Sequence, residues 1–182
     1  MGQLLDTTAR YLNGEVPEES FNPMGPLMAW EEVAPRTAFV SSFANVTAFD
    51  TDAGLVLIDT GSFFLAAQVH TSLREWTSRE AHTAVFTHGH VDHVFGTERY
   101  ESERAERGLS PLTVVAHSRV LARFERYRRS PGYNACINAR QFRMNVPWPL
   151  DYRTPDRLYD DALALDVGGE RFELHHAEGE TD

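Results

Sequence analysis

One cysteine, Cys136, stands among the 182 residues, so neither a disulfide framework nor a cysteine-based zinc cluster is open to this chain. No stretch approaches the roughly twenty consecutive apolar residues of a membrane span. The N-terminus, MGQLLDTTARYLNGEVPEES, lacks the basic start and apolar run of a signal peptide. Lysine is absent, all seventeen basic residues being arginine, a bias that nothing in the sequence explains. Positive charge is in deficit, and a net charge of −10 disfavours binding to nucleic acid or to an anionic membrane. What remains is a cytoplasmic globular protein as the expectation. Its 42 % hydrophobic and 11 % aromatic content suffices for one domain with a core.

Residues 1–34 read as an irregular arm, with NPMGP as a loop. From Arg36 the pattern changes. TAFVSSF and NVTAFDTD are short β-branched and aromatic runs, and AGLVLIDTGS is a continuous apolar run that ends in Asp59-Thr60-Gly61. Together they predict a hairpin leading to a buried strand. SFFLAAQVHTSLREWTS has helical spacing with Ser62 as N-cap. HTAVFTH and LTVVAH predict strands, with a helix or loop between them. SRVLARFERYRR predicts a basic amphipathic helix stopped by Ser130-Pro131-Gly132, and YNACINARQF a further helical piece. ALALDVGGERFELHH predicts a hairpin turning at Gly168-Gly169. Helices and strands alternating between terminal hairpins predict a mixed α/β (α+β) sandwich.

Three of the eight histidines fall in THGHVDHVFG, with an aspartate between them. His88, His90 and Asp92 repeat with a period of two, so in an extended segment they point to one side. Imidazole and carboxylate suit Zn2+ and similar divalent ions. His93 would point elsewhere, within reach of a second ion about 3.5–4 Å from the first. Two such ions share a hydroxide that is a nucleophile at neutral pH, and hydrolysis of an ester-like bond is the natural use. No serine or cysteine nucleophile is then required, which suits a chain without a triad signature.

THGHVDH, with GLVLIDTGS about thirty residues before it, resembles the metallo-β-lactamase superfamily from Arg36 to the chain end. The resemblance implies an αββα sandwich, here with its second half incomplete, and residues 35–182 as the N-terminal part of that domain. It implies that His88 and His90 hold one ion and Asp92 and His93 another, with Asp92 also catalytic. Asp59 would orient a ligand from behind, or else cap the turn at Thr60-Gly61. In HHAEGETD, Glu180 occupies the slot where most of the superfamily has a histidine. A glutamate there resembles the alkyl-sulfatase-like branch, as does RFERYRRSPGYNACINARQF. A carboxylate binds zinc at about 2.0–2.2 Å, so the exchange is chemically sound. The alternative for Glu180 is a solvated residue in an acidic tail.

The superfamily's bridging carboxylate and late second-site histidine have no counterpart before Asp182, so the chain is expected to be a fragment of a longer, dimeric enzyme. A natural short protein would expose a sheet face and its edge, and would need a partner or aggregate. The expected function is metal-dependent hydrolysis of a small, anionic substrate such as a sulfate ester. The alternatives are a thioester or lactone hydrolase of the same fold, or a non-catalytic metal-binding fragment. Zn2+ is the expected metal; the ligand set also suits Mn2+ and Fe2+. Tyr133 and Asn134 are candidates for the substrate pocket, with ordinary turn chemistry as the alternative. The arginines at 119, 123, 126, 128 and 129 read as a solvated helix face. Phe124 and Tyr127 are expected in the core, Cys136 is expected to be buried, and His175 and His176 should face opposite ways.

Overall fold

Leu55, Val56, Leu57 and Ile58 alternate between two faces of one strand, and neither face meets water freely. The computed structural model shows why, and it describes residues 2–17, 20, 28–143 and 147–179. That strand is β4 (Gly54–Ile58), the centre of a seven-stranded sheet. Before it run β1 (Trp30–Ala34), β2 (Thr37–Val40) and β3 (Val46–Thr51), each antiparallel to its neighbour. After it come β5 (Ala81–Phe86), β6 (Thr113–His117) and β7 (Arg157–Tyr159), all parallel.

Helices make the parallel crossovers. They are α2 (Ala66–Trp76), the single turn α3 (Val91–Val94), α4 (Thr97–Glu106), α5 (Arg119–Arg129) and α6 (Pro131–Phe142); α1 (Gln3–Leu12) precedes the sheet. Leu55, Leu57, Ala84, Phe86, Val114 and Ala116 point to the helical face, where they pack with Val69, Leu73, Tyr100 and Phe124. Each large side chain so buried contributes about 1.5–3 kcal/mol. The alternate residues Val56, Val85 and Val115 point the other way. There a second sheet of two strands, β8 (Ala162–Val167) and β9 (Glu170–His175), lays Leu165 and Val167 over them. The hairpin turn is seated on the β3–β4 turn: the Asp52 N–H donates to the Gly168 carbonyl at 3.0 Å. A Cβ at Gly168 would stand 2.2 Å from the Ala53 nitrogen, and φ is +54°, so glycine alone fits.

The mixed α/β sandwich is therefore present as helices, large sheet and small sheet. The outer face of the hairpin is exposed, but it carries Ala162, Ala164, Asp166, Arg171, Glu173 and His175, a small and polar set. Among the described residues no helix is long and apolar enough to cross a membrane.

Three local expectations need correction. Residues 1–34 are not irregular throughout. α1 forms because the Glu31 carboxylate accepts the Leu4 N–H at 2.7 Å and the Leu5 N–H at 3.1 Å, a cap supplied from β1. NPMGP lies outside the described residues. Ser62 does not cap α2, which begins after Leu65; its hydroxyl accepts the Leu65 N–H in the preceding turn. Cys136 is exposed, because α6 buries none of its residues.

Candidate active site

The parallel strands β4, β5 and β6 end side by side, and the histidine cluster sits at those carboxyl ends. At the end of β4, Asp59 adopts φ +59°, a left-handed conformation that aspartate tolerates better than most residues. Its N–H donates to the Val85 carbonyl at 2.8 Å. The buried carboxylate meets three donors: the Thr87 N–H at 2.8 Å, the Thr87 hydroxyl at 2.7 Å and His93 Nδ1 at 2.7 Å. Asp59 therefore holds His93 and ties the end of β4 to that of β5.

Thr87 extends this control one residue further. Its hydroxyl proton is spent on Asp59, so at its 2.9 Å contact with His88 Nδ1 the threonine oxygen accepts. His88 and His93 thus both carry their proton on Nδ1 and present Nε2 lone pairs to the cluster. One buried carboxylate sets two tautomers, one directly and one through a hydroxyl. The sequence reading passed over Thr87; its position between a strand end and the first histidine was the available signal.

His88 and His90 ring centroids lie 4.6 Å apart, and those of His88 and His93 4.0 Å apart. His93 Nε2 is 3.6 Å from the Asp92 carboxylate. His90 is extended and opens α3, whereas Asp92 and His93 lie on its helical turn. The strand-like alternation expected through Asp92 stops at His90, and His93 joins the cluster instead of pointing elsewhere. Close packing holds that turn in place. The Thr60 N–H donates to the His93 carbonyl at 2.8 Å and the Gly96 N–H to the Gly61 carbonyl at 3.0 Å. A Cβ on Gly96 would stand 1.7 Å from the Thr60 oxygen.

The electrostatics differ across the cluster. Burial, then the neighbouring His93 and His90, lowers the His88 pKa against the opposing pull of Asp59 and Asp92. At His93 burial also disfavours the cation, but the Asp59 hydrogen bond and the charges of Asp59 and Asp92 prevail, and the pKa is raised.

The donor types fit a divalent metal ion, and the two set tautomers aim lone pairs inward. The cage is not closed, however: among the described residues no three His, Cys, Asp or Glu are placed to hold an ion by themselves. Glu180, the expected additional ligand, lies outside the described residues. Tyr133 is exposed, in a surface depression with Arg126 and Arg129. Asn134 turns its amide onto the Ser130 carbonyl at 2.9 Å. One turn further along α6, Asn138 and Phe142 line a groove with Phe63, Phe64, Val91 and Trp148, and Val91 lies between His90 and Asp92.

The family model described as "Metallo-beta-lactamase superfamily" matches residues 41–181. The chain belongs to the metallo-β-lactamase superfamily. Proteins of this superfamily are generally hydrolytic enzymes and typically bind metal ions, often zinc. Solved structures agree on the fold. BJP-1, a subclass B3 metallo-β-lactamase of Bradyrhizobium japonicum, is 17 % identical with TM-score 0.63, over 87 % of this chain and 55 % of its own. The metallo-β-lactamase GOB-18 from Elizabethkingia meningoseptica is 16 % identical with TM-score 0.62, over 91 % of this chain and 57 % of its own. The stereoselective inverting sec-alkylsulfatase Pisa1 from Pseudomonas sp. is 21 % identical with TM-score 0.53, over 81 % of this chain and 27 % of its own. The chain thus spans about half the length of those β-lactamases and about a quarter of that sulfatase. No curated protein sequence matches it significantly.

Proposed function

We propose that this chain carries the metal-binding part of a hydrolase that cleaves sulfate esters bearing an apolar organic group. The observation that carries the reading is the convergence of His88, His90 and His93, with the tautomers of His88 and His93 set from Asp59. His88, His90 and Glu180 would hold a first Zn2+, and Asp92 and His93 a second. Bound there, the metal supplies a hydroxide nucleophile at neutral pH and neutralises charge on the leaving oxygen.

The chain's own residues have separable tasks. Asp59 and Thr87 hold the proton of each of the two imidazoles on Nδ1, so that Nε2 is the nitrogen left to meet the ion. Asp92, partly buried beside His93 Nε2, accepts a hydrogen bond from the attacking water and steers it. The aromatic groove starting at Val91 receives the apolar group and excludes water from it. That groove, together with the fold shared with a sec-alkylsulfatase, favours an alkyl sulfate over a more polar ester.

The test is to load the purified chain with zinc, measure metal content by elemental analysis, and follow hydrolysis of a secondary alkyl sulfate and a thioester, with His90→Ala as control. Zinc-dependent sulfate release, lost in His90→Ala, supports the reading. Turnover of the thioester alone points to the other hydrolase class. Zinc binding without turnover of either marks a non-catalytic metal-binding fragment.

A further inference from the structure

The polarity of α6 is inverted. A helix lying on a protein surface normally turns its apolar row inward. Here Tyr133, Cys136, Ile137 and Arg140, at the spacing i, i+3, i+4, i+7, form the exposed row, and Tyr133 is 69 % exposed. Asn134 and Asn138 are half-buried instead, and each turns its side-chain amide onto a carbonyl of the preceding turn, of Ser130 and Asn134, at 2.9 Å. Asn138 and Phe142 on that inner row line the aromatic groove. The outward tyrosine and isoleucine therefore stand one helical row away from the groove. Phe43, edge-on to Phe142 at 5.8 Å, and Phe64 add exposed apolar surface beside it.

α5 continues this face with charge. It holds five arginines against one glutamate. Val120, Phe124 and Tyr127 face the core, and Arg123 and Arg128 lie over the rings of Tyr127 and Tyr152 at 5.8 and 5.3 Å. Arg119, Ala122, Arg126 and Arg129 make the exposed row. Glu125 pairs with Arg129 at 2.9 Å, so the row keeps a positive excess. The depression that holds Arg126, Arg129 and Tyr133 joins it to the exposed row of α6. The two helices thus present one strip in which arginines flank apolar side chains, on a chain whose net charge is −10. At 0.1 M salt, charges more than about 10 Å away are largely screened, so a ligand at this strip meets the arginines first.

We propose that the α5–α6 strip docks the chain on a surface of assembled anionic amphiphiles, its arginines meeting the head groups while Tyr133 and Ile137 enter the boundary between head groups and chains. Complementarity names the partner. A free anion would use the arginines and leave the apolar row in water, and an apolar peptide would use the apolar row alone. An assembly of anionic amphiphiles uses both. Docked this way, the groove lined by the inner row of α6 stands beside the assembly and takes its substrate from there. That last step rests on the sulfate-ester reading given above; the docking itself does not.

The experiment is flotation of the purified chain with vesicles of equal parts phosphatidylcholine and phosphatidylglycerol, against vesicles of phosphatidylcholine alone. Neither lipid is a sulfate ester, so metal and turnover play no part. The chain should float with the anionic vesicles only, and should come off them as salt is raised. Arg126→Gln/Arg129→Gln and Tyr133→Ser/Ile137→Ser should each weaken binding about tenfold. Arg10→Gln/Arg171→Gln, which removes exposed arginines of α1 and β9, should leave it unchanged. These residues are all exposed, so the melting temperatures should hold. Hydrogen exchange of the α6 amides should slow on the vesicle. Absence of binding, binding that does not distinguish the two vesicles, an equal loss in the control pair, or unchanged exchange in α6 overturns the proposal. Dimers in sedimentation that Tyr133→Ser/Ile137→Ser abolishes, without vesicle binding, assign the face to a second copy and overturn it too. A chain that floats but hydrolyses no alkyl sulfate keeps the docking surface and loses the functional reading. One that hydrolyses monomeric alkyl sulfate without floating does the reverse.

Discussion

On one face of the seven-stranded sheet, Leu55, Leu57 and Phe86 are fully buried under helices α2, α4 and α5. On the other, Phe49 and Ile58 of the sheet and Leu163, Phe172 and Leu174 of the two-stranded hairpin surround a small buried centre and stay partly open. The first face is held by volume. The second is pinned by particular contacts: the Phe49–Phe172 edge contact at 5.4 Å, the Gly168 seat, and the His117–His176 stack. The candidate centre lies at the end of the sheet where the two regimes meet. The sealed face supplies rigidity there, and the pinned face supplies polar groups that can be aimed.

The largest effect expected from this contrast is in packing. Leu57→Ala should cost about 3 kcal/mol in chemical denaturation, whereas its neighbour Ile58→Ala, pointing to the open face, should cost about 1 kcal/mol. Equal losses would mean that the hairpin seals its face as well as the helices do. The next effect belongs to the site. Thr87→Val removes the hydroxyl between Asp59 and His88 and should weaken zinc binding about tenfold, with Thr87→Ser close to the parent. If both variants bind alike in a zinc titration, tautomer control through Thr87 is wrong.

The smallest effect is electrostatic, at the edge strand β7. Burial pushes the Asp156 pKa up, but the hydrogen bond from Arg153, the Val114 N–H and the Arg153 charge outweigh it and hold it below the usual carboxylate range. A lowered folded pKa stabilises above the unfolded value and is lost as pH falls through the folded one. Asp156→Asn should therefore cost about 1 kcal/mol at pH 7, a figure kept small by solvent screening. The gap should narrow as pH falls below about 4, read as melting temperatures of both proteins across pH 2–7. A constant gap would assign the effect to the hydrogen bond alone.

Much of the large sheet was legible because its strands are dense in β-branched and apolar residues with clear turn signals, and the terminal hairpin because Gly168-Gly169 admits few other conformations. The histidine cluster was legible because metal chemistry restricts residue types within a short window. What escaped depends on contacts distant in sequence. α1 is capped by Glu31, 27 positions beyond Leu4. Asp92 and His93 lie on a helical turn because Thr60 and Gly61 pair with that segment from over thirty residues away. Pro131 was read as part of a stop, yet it also opens α6 at the first helical position, where its missing N–H costs nothing. No periodicity rule distinguishes these outcomes from an unstructured stretch.

The isolation of α6 has a practical side. Cys136 is exposed on that helix and is the only thiol in the sequence, so a maleimide probe attaches at one known position without removing any other residue. Asn138 and Phe142, further along the same helix, line the aromatic groove. A fluorophore or spin label on Cys136 therefore gives the wild-type chain a built-in optical or magnetic reporter, able to register when an amphiphile enters that groove before any bond in it is broken.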